Sequence, residues 1–460
     1  MTLSIFIGII FLFAGLSFLS SNLVAKGMEV RTQIGQITLA KVLASLFCLA
    51  CLISVTLQEY WYEELWRLVI FIVFSFALFQ LVSTVFTMKI WNGITEFARK
   101  GHLIFSICFF LLGLLLITRS YIGPVISVEE CKSSKEIQVI CLVKNPEDLA
   151  VTPDNNFLIV SEFGGIEPLE EMIPGKLSLL NLETEEVEPL NMSYSNNTWG
   201  DGLCSRKNND LLGPHGIDLV TRKDGLYQLA VVNHIEYESI EMYELIKAEP
   251  SWKLVWRGCV RAPVENYLND VSLKSDGSFF VSHMYDRDSS ISTFLSAALF
   301  KYKTGYVLQW NNRQGFSMVT GSEGSMPNGI AYSETNNLLY INNNLGDKVR
   351  VLDLNSKTLI AETFLNAPDN LILTEESLWV TTLDHEILDT LKCTESITCT
   401  LPFSVYELDP LTLEEKQRFS FRKTIFGLPT VALPVKDKNK RGSELSSNEL
   451  TKWNLYIMIN

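Results

Sequence analysis

The distribution of apolar residues divides the chain into two parts. Before about residue 125, apolar residues form four long runs, at roughly residues 4–25, 37–57, 68–88 and 103–122. Runs of this length suit helices that cross a bilayer, whereas a cleaved signal peptide would account only for the first. The pattern therefore predicts a membrane region over residues 1–125 with four transmembrane α-helices.

Charges between these runs predict the orientation. Basic residues flank the first and third connections: Lys26, Arg31, Lys41, Lys89, Arg99 and Lys100. The second connection, residues 58–64, is acidic and aromatic. Because basic loops stay on the cytoplasmic side, everything after Arg119 is expected outside, in an extracellular, lumenal or periplasmic location.

The second part has a different periodicity. After residue 135, apolar residues occur in short alternating segments bounded by Asp, Asn, Gly and Pro, and no stretch has a convincing helical period. This pattern is typical of β-strands separated by turns. Residues 126–460 are therefore predicted to form an all-β domain.

A short sequence motif with polar residues, here called the phrase, recurs throughout this domain. It occupies residues 146–151, 214–219, 268–273, 327–332, 368–373 and, more faintly, 428–433. The phrases are about forty to seventy residues apart, and each precedes two or three strand-like segments. A unit of this size suits a propeller blade, so we predict a six-bladed β-propeller. A sandwich or barrel does not predict one phrase returning in every unit.

The phrases also predict a metal site. The first strand of a blade is innermost, so polar residues of the phrases are expected around the central channel: Glu147, Asp148, His215, Asn269, Asp270, Asn328, Asp369 and Asn370. Carboxylate and amide oxygens are calcium ligands, while zinc or iron would require more histidine. A calcium that only joins the blades is the structural alternative.

Two histidines favour a catalytic role for this site over a purely structural one. His215 lies in the second phrase and His234 ends the next strand of the same unit, so their rings are expected near each other at the channel mouth. Such a pair suits general acid–base work. His283 and His385 end comparable strands, and for them a structural role is preferred.

Charge and cysteine content narrow the range of possible functions. The first 125 residues carry 8 Lys or Arg and 5 Asp or Glu, against 30 and 47 in the remainder. An acidic domain argues against nucleic-acid binding. The exported part has six cysteines, of which Cys393 and Cys399 are expected to form a local disulfide, with Cys131–Cys141 a weaker expectation. Asn191 and Asn196 begin glycosylation sequons.

The motifs together resemble the paraoxonase/arylesterase family of calcium-dependent lactonases. They comprise residues 146–149, 174–177, 214–217, 231–234, 268–270, 327–330 and 369–370. The resemblance implies a catalytic calcium held by Glu147, Asn269, Asn328, Asp369 and Asn370, and a structural calcium held by Asp148, Asp270 and the carbonyl of Ile217. It also implies a catalytic dyad of His215 and His234, with His215 as general base and His234 setting its tautomer.

The implied function is hydrolysis of small esters or lactones by a propeller tethered to a lipid bilayer. Two alternatives remain: a non-enzymatic propeller that assists the assembly of membrane-protein partners, and a strictosidine-synthase-like propeller.

The chain departs from the family in three places. It lacks the usual C-terminal cysteine and ends one strand short, so a strand at residues 137–142 is expected to complete the last blade. Residues 436–449 form a polar insertion in blade six, and residues 384–400 interrupt blade five.

Overall fold

A computed structural model describes residues 12, 16, 75, 100–119, 131–134, 137–164, 173–202, 204–207, 211–385, 401–421, 428–436 and 453–459. The chain divides into two compact units, residues 1–124 and 125–460.

The described part of the first unit contains one helix, α1 (His102–Arg119), which coincides with the fourth predicted span. The other three predicted spans fall almost entirely outside the described residues. Among the residues that are described, no helix has the length and apolar character needed to cross a membrane. The four predicted transmembrane helices stay a prediction.

The second unit is built from antiparallel sheets. Its strands are β1 (Pro146–Val151), β2 (Phe157–Glu162), β3 (Lys176–Asn181), β4 (Val187–Pro189), β5 (Met192–Tyr194), β6 (Pro214–Thr221), β7 (Tyr227–Asn233), β8 (Ser239–Ala248), β9 (Ser251–Arg261), β10 (Asn266–Leu273), β11 (Phe279–Asp286), β12 (Tyr306–Asn311), β13 (Gly315–Met318), β14 (Pro327–Ser333), β15 (Leu338–Asn343), β16 (Lys348–Asp353), β17 (Thr358–Phe364), β18 (Pro368–Leu373), β19 (Leu378–Leu383), β20 (Phe403–Leu408), β21 (Glu415–Phe421), β22 (Pro429–Lys436) and β23 (Trp453–Ile459). One helix that the sequence did not predict, α2 (Ile291–Phe300), connects β11 to β12.

The strands form five blades and one smaller sheet. Blade 1 contains β1–β4, blade 2 contains β6–β9 with β5 added in parallel to β9, and blades 3, 4 and 5 contain β10–β13, β14–β17 and β18–β21. Strands β22 and β23 form a two-stranded sheet, here called the closing sheet. The all-β propeller is confirmed, but the count of six blades is wrong: the described residues form five.

Apolar side chains fill the spaces between neighbouring sheets. Separate buried clusters lie between blades 1 and 2, 2 and 3, 3 and 4, and 4 and 5. Two more join the closing sheet to blade 1 and to blade 5. Each sheet is thus buried on both faces near the centre, which explains why inner strands such as β2 and β15 are buried along their whole length.

The closing sheet joins the last blade to the first. Thr430 donates from Oγ1 to the Pro146 carbonyl of β1 at 2.9 Å and accepts at its own carbonyl from Thr381 Oγ1 of β19 at 2.7 Å. Residues 137–142, predicted to supply the closing strand, form no strand in the structure. Ile137 and Ile140 of this segment instead pack against the two clusters beside the closing sheet.

Four of the five cysteines among the described residues form two disulfides, and Cys108 of α1 is free. Cys131–Cys141 was predicted and is confirmed. Cys204–Cys259 joins residues 55 apart in sequence and was not predicted. Cys393 and Cys399, for which a disulfide was expected, lie outside the described residues.

The closing sheet should contribute measurably to stability. Val431 of β22 is fully buried between Leu149 and Leu158 of blade 1 and the rest of that cluster. We expect Val431→Ala to lower the free energy of unfolding by about 2 kcal/mol, because it removes two buried methyl groups and leaves a cavity. Urea unfolding followed by tryptophan fluorescence measures this change.

Val264→Ala is the matched control, since Val264 is 89% exposed and the same substitution there should cost less than about 0.5 kcal/mol. Equal effects of the two substitutions would show that the closing sheet is not part of the cooperative fold.

Candidate metal centre and histidine pair

An irregularity in the strand ladder places each polar phrase. In all six sheets, the pairing of the innermost strand with its neighbour shifts register just after the first residues of the phrase. Such a bulge releases the residues at the shift from regular pairing and redirects their side chains. The phrase found in the sequence therefore corresponds to one recurring structural feature, a bulge near the start of each innermost strand.

Two buried aspartates from these bulges join neighbouring blades. Asp148 accepts the N–H of Leu149 at 2.8 Å with one oxygen and the N–H of Ile217, in blade 2, at 2.7 Å with the other. Asp270 repeats the arrangement: it accepts the N–H of Val271 at 2.7 Å and that of Ile330, in blade 4, at 2.7 Å. Each carboxylate therefore connects an odd-numbered blade to the next one.

Glycine occupies the equivalent position in the blades between. A Cβ on Gly216 would lie 2.5 Å from Asp270 Cα, and one on Gly329 would lie 2.5 Å from Asn370 Cα. Both distances are too short for any side chain. Glycine is required here because the bulges of neighbouring blades touch backbone to backbone.

Three amide oxygens of the phrases lack hydrogen-bond partners among the described residues. They are the Oδ1 atoms of Asn269, Asn328 and Asn370, and these residues are only 3–4% exposed. A buried acceptor without a partner is costly, so each such atom requires an explanation. Amide and carboxylate oxygens gathered at one place are the donor set of calcium. The residues therefore fit the cation that the sequence predicted.

The other predicted ligands belong to the same cluster. Asn370 Nδ2 donates to the Glu147 carbonyl at 3.0 Å, and the Asn328 side chain hydrogen-bonds to Asp369. Ile217, whose carbonyl was predicted as a ligand, is buried and bonded to Asp148 through its N–H. The structure thus brings the eight predicted metal residues together, and their division into two calcium sites stays a prediction.

Burial governs the electrostatics of the cluster. It raises the pKa of Asp148 to about 8 and that of Asp369 to about 7. It also raises the pKa of Asp270 well above the usual value, and the nearby Asp148 adds to this effect. Asp218, which the sequence analysis did not single out, joins them with its pKa raised by burial to about 6. Several buried carboxyls of this kind can ionise together only beside a cation.

A second group of metal-ligating residue types, Cys204, Glu241 and Cys259, carries no metal function. Its two sulfurs are joined in a disulfide, and Glu241 is bonded to Arg206 and Trp256.

The two predicted catalytic histidines lie together beside the cluster. Their ring centroids are 5.2 Å apart and the rings meet edge to face. His215 Nδ1 lies 2.9 Å from the Asn269 carbonyl, and its Nε2 lies 3.8 Å from Glu147 Oε2. A carbonyl only accepts, so Nδ1 of His215 carries the hydrogen. The tautomer of His215 is thus set by the Asn269 carbonyl, whereas the resemblance implied that His234 would set it.

Both histidines are buried and packed against aromatic rings. Burial, followed by the proximity of His234, lowers the pKa of His215 to about 3, so this ring is neutral at physiological pH. Phe163 meets the edge of His215 at 5.2 Å, and Tyr267 stacks on His234 at 5.0 Å. Sequence reasoning missed both aromatic residues, because they lie outside the phrases.

His283 and His385 have structural partners, as preferred from the sequence. Nδ1 of His283 accepts the N–H of Tyr267 at 3.2 Å. Nδ1 of His385 lies 3.2 Å from the Pro402 carbonyl.

Comparison with known proteins gave one family and several distant folds. A sequence profile described as arylesterase matches residues 125–391, more than half of the chain. Among solved structures, a luciferin-regenerating enzyme is 12% identical, covers 69% of this chain and 92% of its own, and has a TM-score of 0.38. A putative 6-phosphogluconolactonase from Bacteroides uniformis is 14% identical, covers 61% and 87%, and has a TM-score of 0.34. Likenesses this distant say nothing about function.

The raised pKa values predict how stability depends on pH. Without metal, the folded state holds protons on Asp148 and Asp369 up to about pH 8 and 7, whereas the unfolded state loses them near pH 4. The chelated protein should therefore lose stability as pH rises between these limits. Calcium stabilises the ionised carboxylates, so it should raise the unfolding temperature more at pH 8 than at pH 5.5.

Differential scanning calorimetry with calcium and with chelator at both pH values tests this. Asp148→Asn should reduce the difference, and Asp353→Asn, at the end of β16, should leave it as in the wild type. A calcium effect independent of pH in the wild type would contradict the assignment of the buried carboxyls.

Proposed function

The chain belongs to the arylesterase family, and from this premise we propose that its propeller is a calcium-dependent hydrolase of lactones, aryl esters or both. The observation that carries the proposal is the position of a buried histidine pair beside a cluster of carboxylates and unpartnered amide oxygens. A cation that served stability alone would not account for the histidines.

The proposal assigns the ligands to two calcium sites as the family resemblance implies. Glu147, Asn269, Asn328, Asp369 and Asn370 would hold a catalytic calcium, and Asp148, Asp270 and the Ile217 carbonyl a structural one. Bound calcium would polarise the substrate carbonyl and stabilise the negative charge that develops on its oxygen. The unpartnered amide oxygens support the first set, and the bridging hydrogen bonds of Asp148 and Asp270 support the second.

His215 is the proposed general base. Its Nδ1 hydrogen is directed to the Asn269 carbonyl, so Nε2 keeps a lone pair that can take a proton from water. Nε2 is also the atom on the side of Glu147, and thus of the metal cluster. The deprotonated water would attack the carbonyl carbon of the ester, and the proton would later return to the departing oxygen.

The aromatic residues beside the histidines suggest the substrate class. Phe163 and Tyr267 pack against the histidines, and Tyr285 stacks on Tyr267; such surroundings suit an apolar or aryl ester more than a charged one.

We further propose that the propeller lies outside the cell, in a lumen or in the periplasm, tethered by the apolar N-terminal runs. Two disulfides suit an oxidising compartment, and the sequon residues Asn191 and Asn196 are both exposed.

Turnover of a panel of lactones and aryl esters by the full-length protein, with calcium and after chelation, tests the proposal. We expect hydrolysis that chelation abolishes. His215→Gln should lower kcat by about 100-fold or more, because it removes the general base while leaving the calcium ligands in place. Calcium content, measured by atomic emission, should be the same in the variant and the wild type.

His385→Gln is the matched control, since this histidine is also buried at a strand end but lies in blade 5, bonded to Pro402. Its turnover should stay within about twofold of the wild type. Wild-type turnover in His215→Gln would exclude His215 as the base. A calcium-loaded wild type that turns over no substrate would favour a non-catalytic propeller that assists the assembly of membrane proteins.

A further inference from the structure

The loop between β7 and β8 places a buried carboxylate behind His234. Both oxygens of Glu238 lie 2.9 Å from His234 Nδ1, and the side chains are each 2% exposed. The N–H of Leu268 donates to Glu238 Oε2 at 3.0 Å. A carboxylate so deeply buried is stable only with hydrogen-bond donors or charged partners. The His234 ring contacts both oxygens of Glu238.

This contact fixes the tautomer of His234. An ionised carboxylate only accepts, so Nδ1 of His234 must carry a hydrogen and Nε2 must carry the lone pair. The Nε2 atom is buried and has no hydrogen-bond partner among the described residues. A ring held by a carboxylate on one nitrogen, with the other nitrogen available, is the arrangement of a proton-accepting histidine in hydrolases.

The two histidines differ in what lies behind them. His215 is backed by the neutral carbonyl of Asn269, whereas His234 is backed by the carboxylate of Glu238. A nearby negative charge favours the doubly protonated ring much more than a neutral carbonyl does. A proton taken up by the pair is therefore more stable on His234.

The other polar groups around the pair do not alter this order. Arg287 Nη1 lies 3.8 Å from Glu238 Oε1, and its side chain is 34% exposed, so solvent screens its effect on the carboxylate. Tyr267 and Tyr285 face the pair from blade 3, and burial raises the pKa of both, which keeps them neutral. Glu147 lies on the side of His215, but its Oε2 is 3.8 Å from Nε2, beyond hydrogen-bond distance, whereas Glu238 lies 2.9 Å from His234 Nδ1.

We propose that Glu238 is a positioning residue that holds His234 in the Nδ1–H tautomer and makes His234 the member of the pair that retains the transferred proton. The proposal rests on the hydrolysis proposed above. Water loses a proton to His215 Nε2 as its oxygen bonds to the carbonyl carbon, and this proton passes to His234 Nε2. It returns to the alcohol or phenol oxygen when the ester C–O bond breaks, so that ester and water give acid and alcohol.

Kinetics of Glu238→Gln in the full-length, calcium-loaded protein test the role of the charge. Glutamine keeps the size of the side chain and an acceptor oxygen but removes the charge. We expect kcat to fall by about tenfold or more with KM within about twofold. The acidic limb of the kcat–pH profile should move to lower pH by about one unit or more, because the protonated pair loses its neighbouring anion.

The exposed Glu236→Gln, in the same loop, is the matched control and should leave both kcat and the pH profile unchanged. A Glu238→Gln enzyme with the wild-type pH profile would overturn the proposal, because a purely structural role changes the amount of active enzyme and not its pH dependence.

The tautomer supplies a readout that needs no turnover. Nitrogen-15 spectra of the histidine rings in the wild-type protein at pH 8 should show His234 protonated on Nδ1. A hydrogen on Nε2 would overturn the proposal even if Glu238→Gln fails to fold. If the wild type hydrolyses none of the substrates, the proposed function fails, and with it the proton-retaining role, while the spectrum still decides whether Glu238 sets the tautomer.

Discussion

The propeller depends on buried carboxylates that hold neighbouring blades together at the channel. Asp148 and Asp270 each accept one N–H from their own strand and one from the next blade. Hydrogen bonds to a charged acceptor are worth about 1.5–3 kcal/mol each, but burying several anions near one another costs more than such bonds return. A cation at this place would remove the conflict. The ion that we propose for the chemistry would then also stabilise the fold.

The same constraint explains why the phrases were visible in the sequence. In each innermost strand the regular pairing is interrupted at the channel, and only a few residue types suit this interruption. A proline begins most of these strands. It is followed by a carboxylate or amide that hydrogen-bonds to the neighbouring blade, or by a glycine that lets that blade approach. Asp148 and Asp270 alternate around the ring with Gly216 and Gly329. A requirement repeated in every unit leaves a repeated pattern, so the all-β fold and the cluster could both be predicted from it. The histidine pair could be predicted because both residues lie in one unit.

Features that occur once leave no such pattern. Glu238 stands in a loop among other acidic residues, and only the path of the chain between β7 and β8 brings it to His234. The pairing of Cys204 with Cys259 depends on a loop that lies along β9, where the N–H of Asp201 donates to the Cys259 carbonyl. Helix α2 is a single insertion between two strands of blade 3. The blade count failed for a related reason, because the sixth phrase is present although the sheet that follows it has two described strands.

The seam between the last blade and the first is held by more than the closing sheet. Asn370 of blade 5 donates directly to the Glu147 carbonyl of blade 1. Thr430 adds a second connection through the Pro146 carbonyl, and apolar packing adds a third. The contact between Asn370 and Glu147 therefore joins two of the proposed calcium ligands across this seam. If the proposed ligand set is correct, closing the ring also brings these two ligands together.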